Sequence, residues 1–159
     1  MLIIEEKIKS EGLDCCIDEI GEMMQGLVRT LQIFERLQIS QKGYTNSQCY
    51  TLLNLYKNGA LSMKELSDKM NLDTSTMTRI VNNLVRDGLN EREHSEEDRR
   101  IVLVKLTTKG TEEAEQLNEE VIEYYRLIIN EIPKGKVIDV VESINILIEA
   151  FTRAKPKCC

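Results

Sequence analysis

The sequence has no tryptophan, two prolines, one histidine and only 4% aromatic residues in 159. Its core must therefore be aliphatic, built from Ile, Leu, Val and Met. No apolar run approaches the ~20 residues that a helix needs to cross a bilayer, so no membrane-spanning segment is expected. The opening MLIIEEKIKSEGLD lacks the basic flank and apolar stretch of a secretory leader. The expected compartment is the cytoplasm, where the five cysteines stay reduced. A glycine-rich phosphate loop and a Cys-x-x-Cys pair are both missing. The single histidine, His94, stands among charges, and no nucleophile–base–orienter set can be assembled around it. An enzyme is not expected, and no cofactor is implied with certainty.

What is present describes a folded chain of one domain or two small ones, 42% apolar and 30% charged. The net charge of −6 is unevenly spread. Residues 61–110 hold nine basic and nine acidic side chains, so the rest of the chain carries the whole deficit. A polyanionic partner is therefore not excluded for the middle third.

Apolar residues Ile17, Ile20, Met24, Leu27, Leu31 and Phe34 recur at helical spacing and predict one long helix over Asp14–Ile39, broken at Lys42-Gly43. Thr45 or Asn46 can cap a second helix running to about Lys57, with Asn58-Gly59 ending it. Ser62 and Glu65 have capping-box spacing, so a short helix is predicted from Met63. After the turn Asn71-Leu72-Asp73, Asp73 or Thr74 caps a further helix whose inner stripe is Met77, Ile80, Val81, Leu84 and Val85, closed by Gly88. Helix, tight turn and longer helix make a helix-turn-helix. The period then becomes alternating. Leu89–His94 and Arg100–Leu106 read as two strands, with Ser95–Asp98 as their turn, which forms a wing. Thr107 caps a helix from Thr108 to about Asn130, and after Pro133 a last helix carries Val137, Val140 or Val141, Ile144, Leu147 or Ile148, and Phe151 on its stripe.

The outward face of the second helix of the motif is Thr74, Ser75, Thr76, Thr78, Arg79, Asn82, Asn83 and Arg86. Each can hydrogen-bond and none is acidic, whereas an ordinary solvated helix favours Glu and Lys. Such a face suits the major groove. Hydroxyls at its N-terminal end are placed to meet phosphate beside free backbone N–H groups, and Arg79 and Asn82 lie one turn further on, where base edges would be. A projecting wing reaches the neighbouring minor groove, whose negative potential attracts arginine. Arg100 is predicted to enter it, with Asp98 pairing Arg92 or Arg100 and Arg99 turned toward a phosphate. Glu93, Glu96 and Glu97 are expected on the side away from DNA.

LSMKELSDKMNLDTSTMTRIVNNLVRDGL followed by EDRRIVLVKLTTKG closely resembles the MarR family of winged-helix transcription regulators. The resemblance rests on the Ser/Thr-rich helix start with Thr78-Arg79, on LVRDGL, on Asp98-x-Arg100 and on Val104, Leu106, Thr107 and Gly110. Asn90 departs from the pattern, because an apolar residue usually follows the Gly-Leu, and the second strand is expected to start more loosely. The resemblance implies a mainly α fold with a small β-hairpin wing: a winged helix-turn-helix at 45–110, an N-terminal dimerisation helix region at 1–44 and C-terminal dimerisation helices at 111–159. It further implies a homodimer on a palindromic double-stranded operator, acting as a repressor and released by an effector. The stripes at 17–34 and 137–151 agree, since so small a lobe cannot bury them alone.

By the same resemblance an effector pocket would draw on Met24, Phe34, Tyr44, Tyr50 and Tyr56, with Met23 and Tyr124 as further lining residues. Cys15, Cys16, Cys158 and Cys159 would lie in the dimerisation region, where they could bind a thiophilic metal or form a disulfide under oxidation; the plain alternative is core packing and a tail. Cys49 reads as structural. Two rival readings are a vicinal-thiol redox or metal-handling protein and a winged helix that docks proteins without DNA. The first leaves the helix-turn-helix unexplained.

Overall fold

A computed structural model of the chain describes residues 16–39 and 43–154, and for 34–39 the backbone alone. The chain divides into two compact units, Met1–Thr111 and Glu112–Cys159.

In the first unit, α1 spans Ile17–Ile39 and α2 spans Asn46–Asn58. The two-residue strand β1 (Leu61–Ser62) leads directly into α3 (Met63–Met70), and α4 follows at Thr74–Arg86. Strands β2 (Asn90–His94) and β3 (Val102–Leu106) form the wing, and α5 begins at Thr108 and runs to Glu131. The sheet is antiparallel in the order β1-β3-β2. Leu61 faces Val104, and Asn90 faces Leu106 at the base of the wing.

Local chemistry sets these boundaries. Thr45 and Gln48 form a reciprocal capping box at the start of α2, and Ser62 and Glu65 form another at α3. Helix α3 ends on Asn71 in the left-handed conformation. At the end of α4, Gly88 takes φ 72°. Its N–H donates to the Val85 carbonyl and that of Leu89 to the Leu84 carbonyl, which is the Schellman arrangement. Inward residues Met77, Ile80, Val81 and Leu84 of α4 pack in a core shared with Leu52, Leu55, Leu66, Leu89 and Val104, all buried.

Two expectations change. The sheet has a third strand, β1. The second wing strand begins at Val102, so Arg100 and Arg99 lie in the turn instead of on the strand. Asn90 keeps register with Leu106 and is only 2% exposed, while neither atom of its amide finds a hydrogen-bond partner among the described residues.

In the second unit, the remainder of α5 leads through Gly135, at φ 84°, to α6 (Val137–Ala154). No residue of α6 is buried, and Ile138, Val141, Ile144, Ile148 and Phe151 all stand exposed. Among the described residues, no helix is long and apolar enough to cross a membrane.

Candidate nucleic-acid interface

Helix α4 turns its apolar residues to the core and leaves Ser75, Arg79, Asn82 and Arg86 exposed, with Thr76, Thr78 and Asn83 half-buried. Its N-terminus is organised by Asp73. One carboxylate oxygen accepts the Thr76 N–H at 2.8 Å and the Ser75 hydroxyl at 2.5 Å, and the other accepts the Thr76 hydroxyl at 2.7 Å. These donors hold the Asp73 carboxyl well below the usual carboxylate range, the Ser75 hydroxyl contributing most. Thr78 donates its hydroxyl to the Thr74 carbonyl at 2.7 Å.

The hydroxyls of Ser75, Thr76 and Thr78 are thus hydrogen-bonded within the protein, two to the Asp73 carboxylate and one to the Thr74 carbonyl. The sequence carried a signal for this. An Asp at the N-cap followed at two and three residues by Ser and Thr can draw in both hydroxyls.

Further along α4, Arg79 has no ion-pair or hydrogen-bond partner among the described residues. Arg86 pairs with Asp87 at 3.3 Å, both on the surface. Asn82 is held by Arg92 of β2, which donates from Nη2 to Asn82 Oδ1 at 2.6 Å. The expected pairing of Asp98 with the Arg92 or Arg100 guanidinium is not what forms. Asp98 Oδ1 accepts the backbone N–H of Arg100 at 2.9 Å, an Asx-type turn that shapes the wing tip. The tip is closed further by Ile101 N–H to the Asp98 carbonyl and by His94 Nδ1 to the Arg99 carbonyl, both at 2.9 Å. The guanidinium groups of Arg99 and Arg100 are exposed and have no carboxylate partner among the described residues.

Alternation along β2 places Asn90 and Arg92 on the face toward α4, and Glu91 and Glu93 on the other. Lys105 pairs with Glu93 and, at 3.4 Å, with Glu91. These bonds, led by Glu93, raise the Lys105 ammonium pKa above its ordinary value. Glu93, Glu96 and Glu97 line a hollow together with Glu65, Ser62 and Leu103.

The remaining candidates are less gathered. Tyr56 lines a hollow of about 300 Å³ with Leu55, Gly59, Ala60, Lys105 and Leu106. Met24, Tyr44 and Tyr50 are half-buried, Met23 is exposed, and the Phe34 side chain lies outside the described residues. Tyr124 stacks obliquely near Tyr125, ring centroids 5.9 Å apart, and burial followed by the neighbouring phenol raises its pKa. Cys16 and Cys49 are buried; Cys15, Cys158 and Cys159 lie outside the described residues. Among the described residues, no group of three His, Cys, Asp or Glu side chains is placed to hold a metal ion.

Comparison with known proteins bears on this geometry. Residues 44–102 match the model of the MarR family. MdtR, an HTH-type transcriptional repressor of Bacillus subtilis (strain 168), is 27% identical over 100 residues, 63% of this chain and 64% of that protein. The chain thus spans a little less than two thirds of that relative's length. A MarR transcriptional regulator from Methanosarcina mazei Go1 has a TM-score of 0.70 at 26% identity, covering 86% of this chain and 99% of the other. Streptococcus pneumoniae FabT, solved in complex with DNA, has a TM-score of 0.78 at 21% identity over 87% and 99% of the two chains. That likeness establishes the winged-helix fold. The matched relatives bear the names of transcription regulators, not of enzymes.

Proposed function

We propose that this chain, which belongs to the MarR family, is a homodimeric repressor that binds a palindromic operator in the cytoplasm. An effector then releases it: a small organic ligand, an oxidant or a thiophilic metal. The winged lobe is 45–110, and the segments 1–44 and 111–159 pair the two copies. Arg79 serves the major groove, Arg100 the minor groove and Arg99 a phosphate. Thr74, Ser75, Thr76, Thr78, Asn83 and Arg86 complete the contact surface, with Asp98 shaping the wing.

One observation carries the reading. Arg79 on α4 and Arg99 and Arg100 on the wing are exposed guanidiniums without carboxylate partners among the described residues, while Glu93 is paired with Lys105 on the other face of β2 from Arg92. A protein using this face only to stay soluble would gain from pairing these charges. A duplex phosphate chain rewards leaving them open. The dimer is supported by apolar residues exposed on α1, such as Leu27 and Leu31, and on α6, such as Ile144 and Phe151. An apolar set of this extent is expected to be covered by a partner, and a second copy of the chain presents the same stripes.

The test is selection of binding sites from a random duplex pool, with and without reductant. The expected result is one inverted repeat, with binding that falls steeply with salt. Failure to enrich any duplex would overturn the reading and favour a protein-docking winged helix. Enrichment that depends on reductant would identify a thiol as the sensing group.

A further inference from the structure

We infer that Arg92 is a further DNA-contacting residue, which grips a phosphate on the backbone row dividing the two grooves, and that Asn82 orients its guanidinium for this. The inference rests on the proposed DNA contact of α4 and the wing and deepens it.

Arg92 is exposed at the centre of β2, on the strand face toward α4, while Glu91 and Glu93 take the other face with Lys105. Among the described residues its guanidinium has no carboxylate partner, and its one side-chain bond runs from Nη2 to Asn82 Oδ1 at 2.6 Å. Asn82 is neutral, so this bond fixes the direction of the guanidinium and leaves its positive charge whole. The remaining N–H donors of the planar fork stay open to a ligand. A guanidinium anchored for stability alone would gain more from a carboxylate.

The place of this charge names its ligand. Asn82 stands on the exposed face of α4 that meets the major groove, and the turn carrying Arg99 and Arg100 meets the neighbouring minor groove. A row of phosphates separates adjacent grooves, so it has to pass between α4 and that turn. Arg92 joins the two. Its guanidinium touches α4, and its backbone is about 10 Å of strand from Ser95, just past the end of β2. Phosphate oxygens accept from an arginine fork in bidentate geometry. Such a contact carries no base information and sets helix and wing on the duplex together.

The probe is the duplex that wild type selects from a random pool. Anisotropy titrations over a salt series and ethylation interference along both strands compare wild type with Arg92→Gln and Arg92→Lys. Arg92→Gln keeps an N–H for Asn82 and lacks the charge. It is expected to bind about tenfold more weakly at low salt, with a deficit that shrinks about fourfold between roughly 50 and 250 mM salt. It is also expected to lose the interference of one phosphate per half-site, on the row between the grooves. Arg92→Lys, which keeps the charge, is expected to retain that interference and the wild-type salt slope. Two results overturn the inference and leave the DNA-binding reading intact: wild-type affinity and slope in Arg92→Gln, or weaker binding with an unchanged ethylation pattern, which a purely structural role would give. Should Arg92→Gln fail to fold, the wild-type pattern decides, and no interfering phosphate on that row overturns the inference. If wild type enriches no duplex, both readings fall.

Discussion

A Cβ built on Gly110 would stand 1.8 Å from the backbone oxygen of Leu89. The first turn of α5 is pressed against the first residue of the wing. The same Leu89 oxygen accepts the Thr107 N–H at 3.0 Å, and the Thr107 hydroxyl donates to the Gly88 carbonyl at 2.8 Å while accepting the Gly110 N–H at 3.0 Å. The junction of α4, wing and α5 is thus a backbone contact that only glycine admits. Gly110→Ala is expected to destabilise the protein by at least about 3 kcal/mol, at the upper end of overpacking costs, because the obstacle is backbone and cannot rotate away. Urea unfolding of the two proteins measures it, and an unchanged midpoint would show the contact to be loose.

Asn90 gives the opposite sign. Its amide is buried with both polar atoms unpartnered among the described residues, on the strand face that carries Leu106 and Val104. Asn90→Val removes an unmet desolvation cost and supplies a β-branched side chain. It is expected to stabilise by about 1–2 kcal/mol, read as a higher melting temperature with unchanged secondary structure. A lower one would mean that the amide has a partner in solution.

The cap of α4 predicts a pH dependence. The native Asp73 carboxyl is held below its ordinary range, so the ionised form is favoured in the folded protein. Its contribution is complete above the ordinary carboxylate value, near pH 4, and is lost as pH falls from there through the depressed native value. Asp73→Asn keeps an acceptor for the Thr76 N–H but cannot titrate. It is expected to flatten this acid-side loss, and Asp73→Ala to lower stability at neutral pH as well. Melting curves from neutral pH to below pH 3 check both.

On the wing, Arg99 and Arg100 are expected to separate by salt dependence. Arg99→Ala should weaken binding to all duplexes alike and lower the salt slope by about one. Arg100→Ala should weaken operator binding by about 1–3 kcal/mol, the scale of one specific contact. Anisotropy titrations at several salt concentrations measure both, and equal affinity for wild type and Arg100→Ala would remove the wing from the interface.

Much of this was legible in residues close together in sequence. Ser62 and Glu65 announced α3, Gly88 announced the end of α4, and the stripe from Met77 to Leu84 announced the buried face, because caps and helical periods act within a few residues. Pairings between distant residues were not. Strand β1 has two residues, too few to show alternation, and exists because Leu61 meets Val104. Arg100 reads as strand by composition, but the Asp98 side chain takes its N–H and delays the strand to Val102. The bond from Arg92 to Asn82 joins two elements and leaves no periodic trace. The bonds of the α4 hydroxyls are written locally, in Asp73, Ser75 and Thr76, since an acidic N-cap draws in side-chain donors as well as backbone N–H groups.

The most direct test of the account is the stoichiometry of the complex with a selected duplex, by light scattering behind size exclusion. Two chains per inverted repeat, with one half-site alone bound far more weakly, is the predicted result. A single chain bound with full affinity to an isolated half-site, or no complex with any duplex, would contradict it.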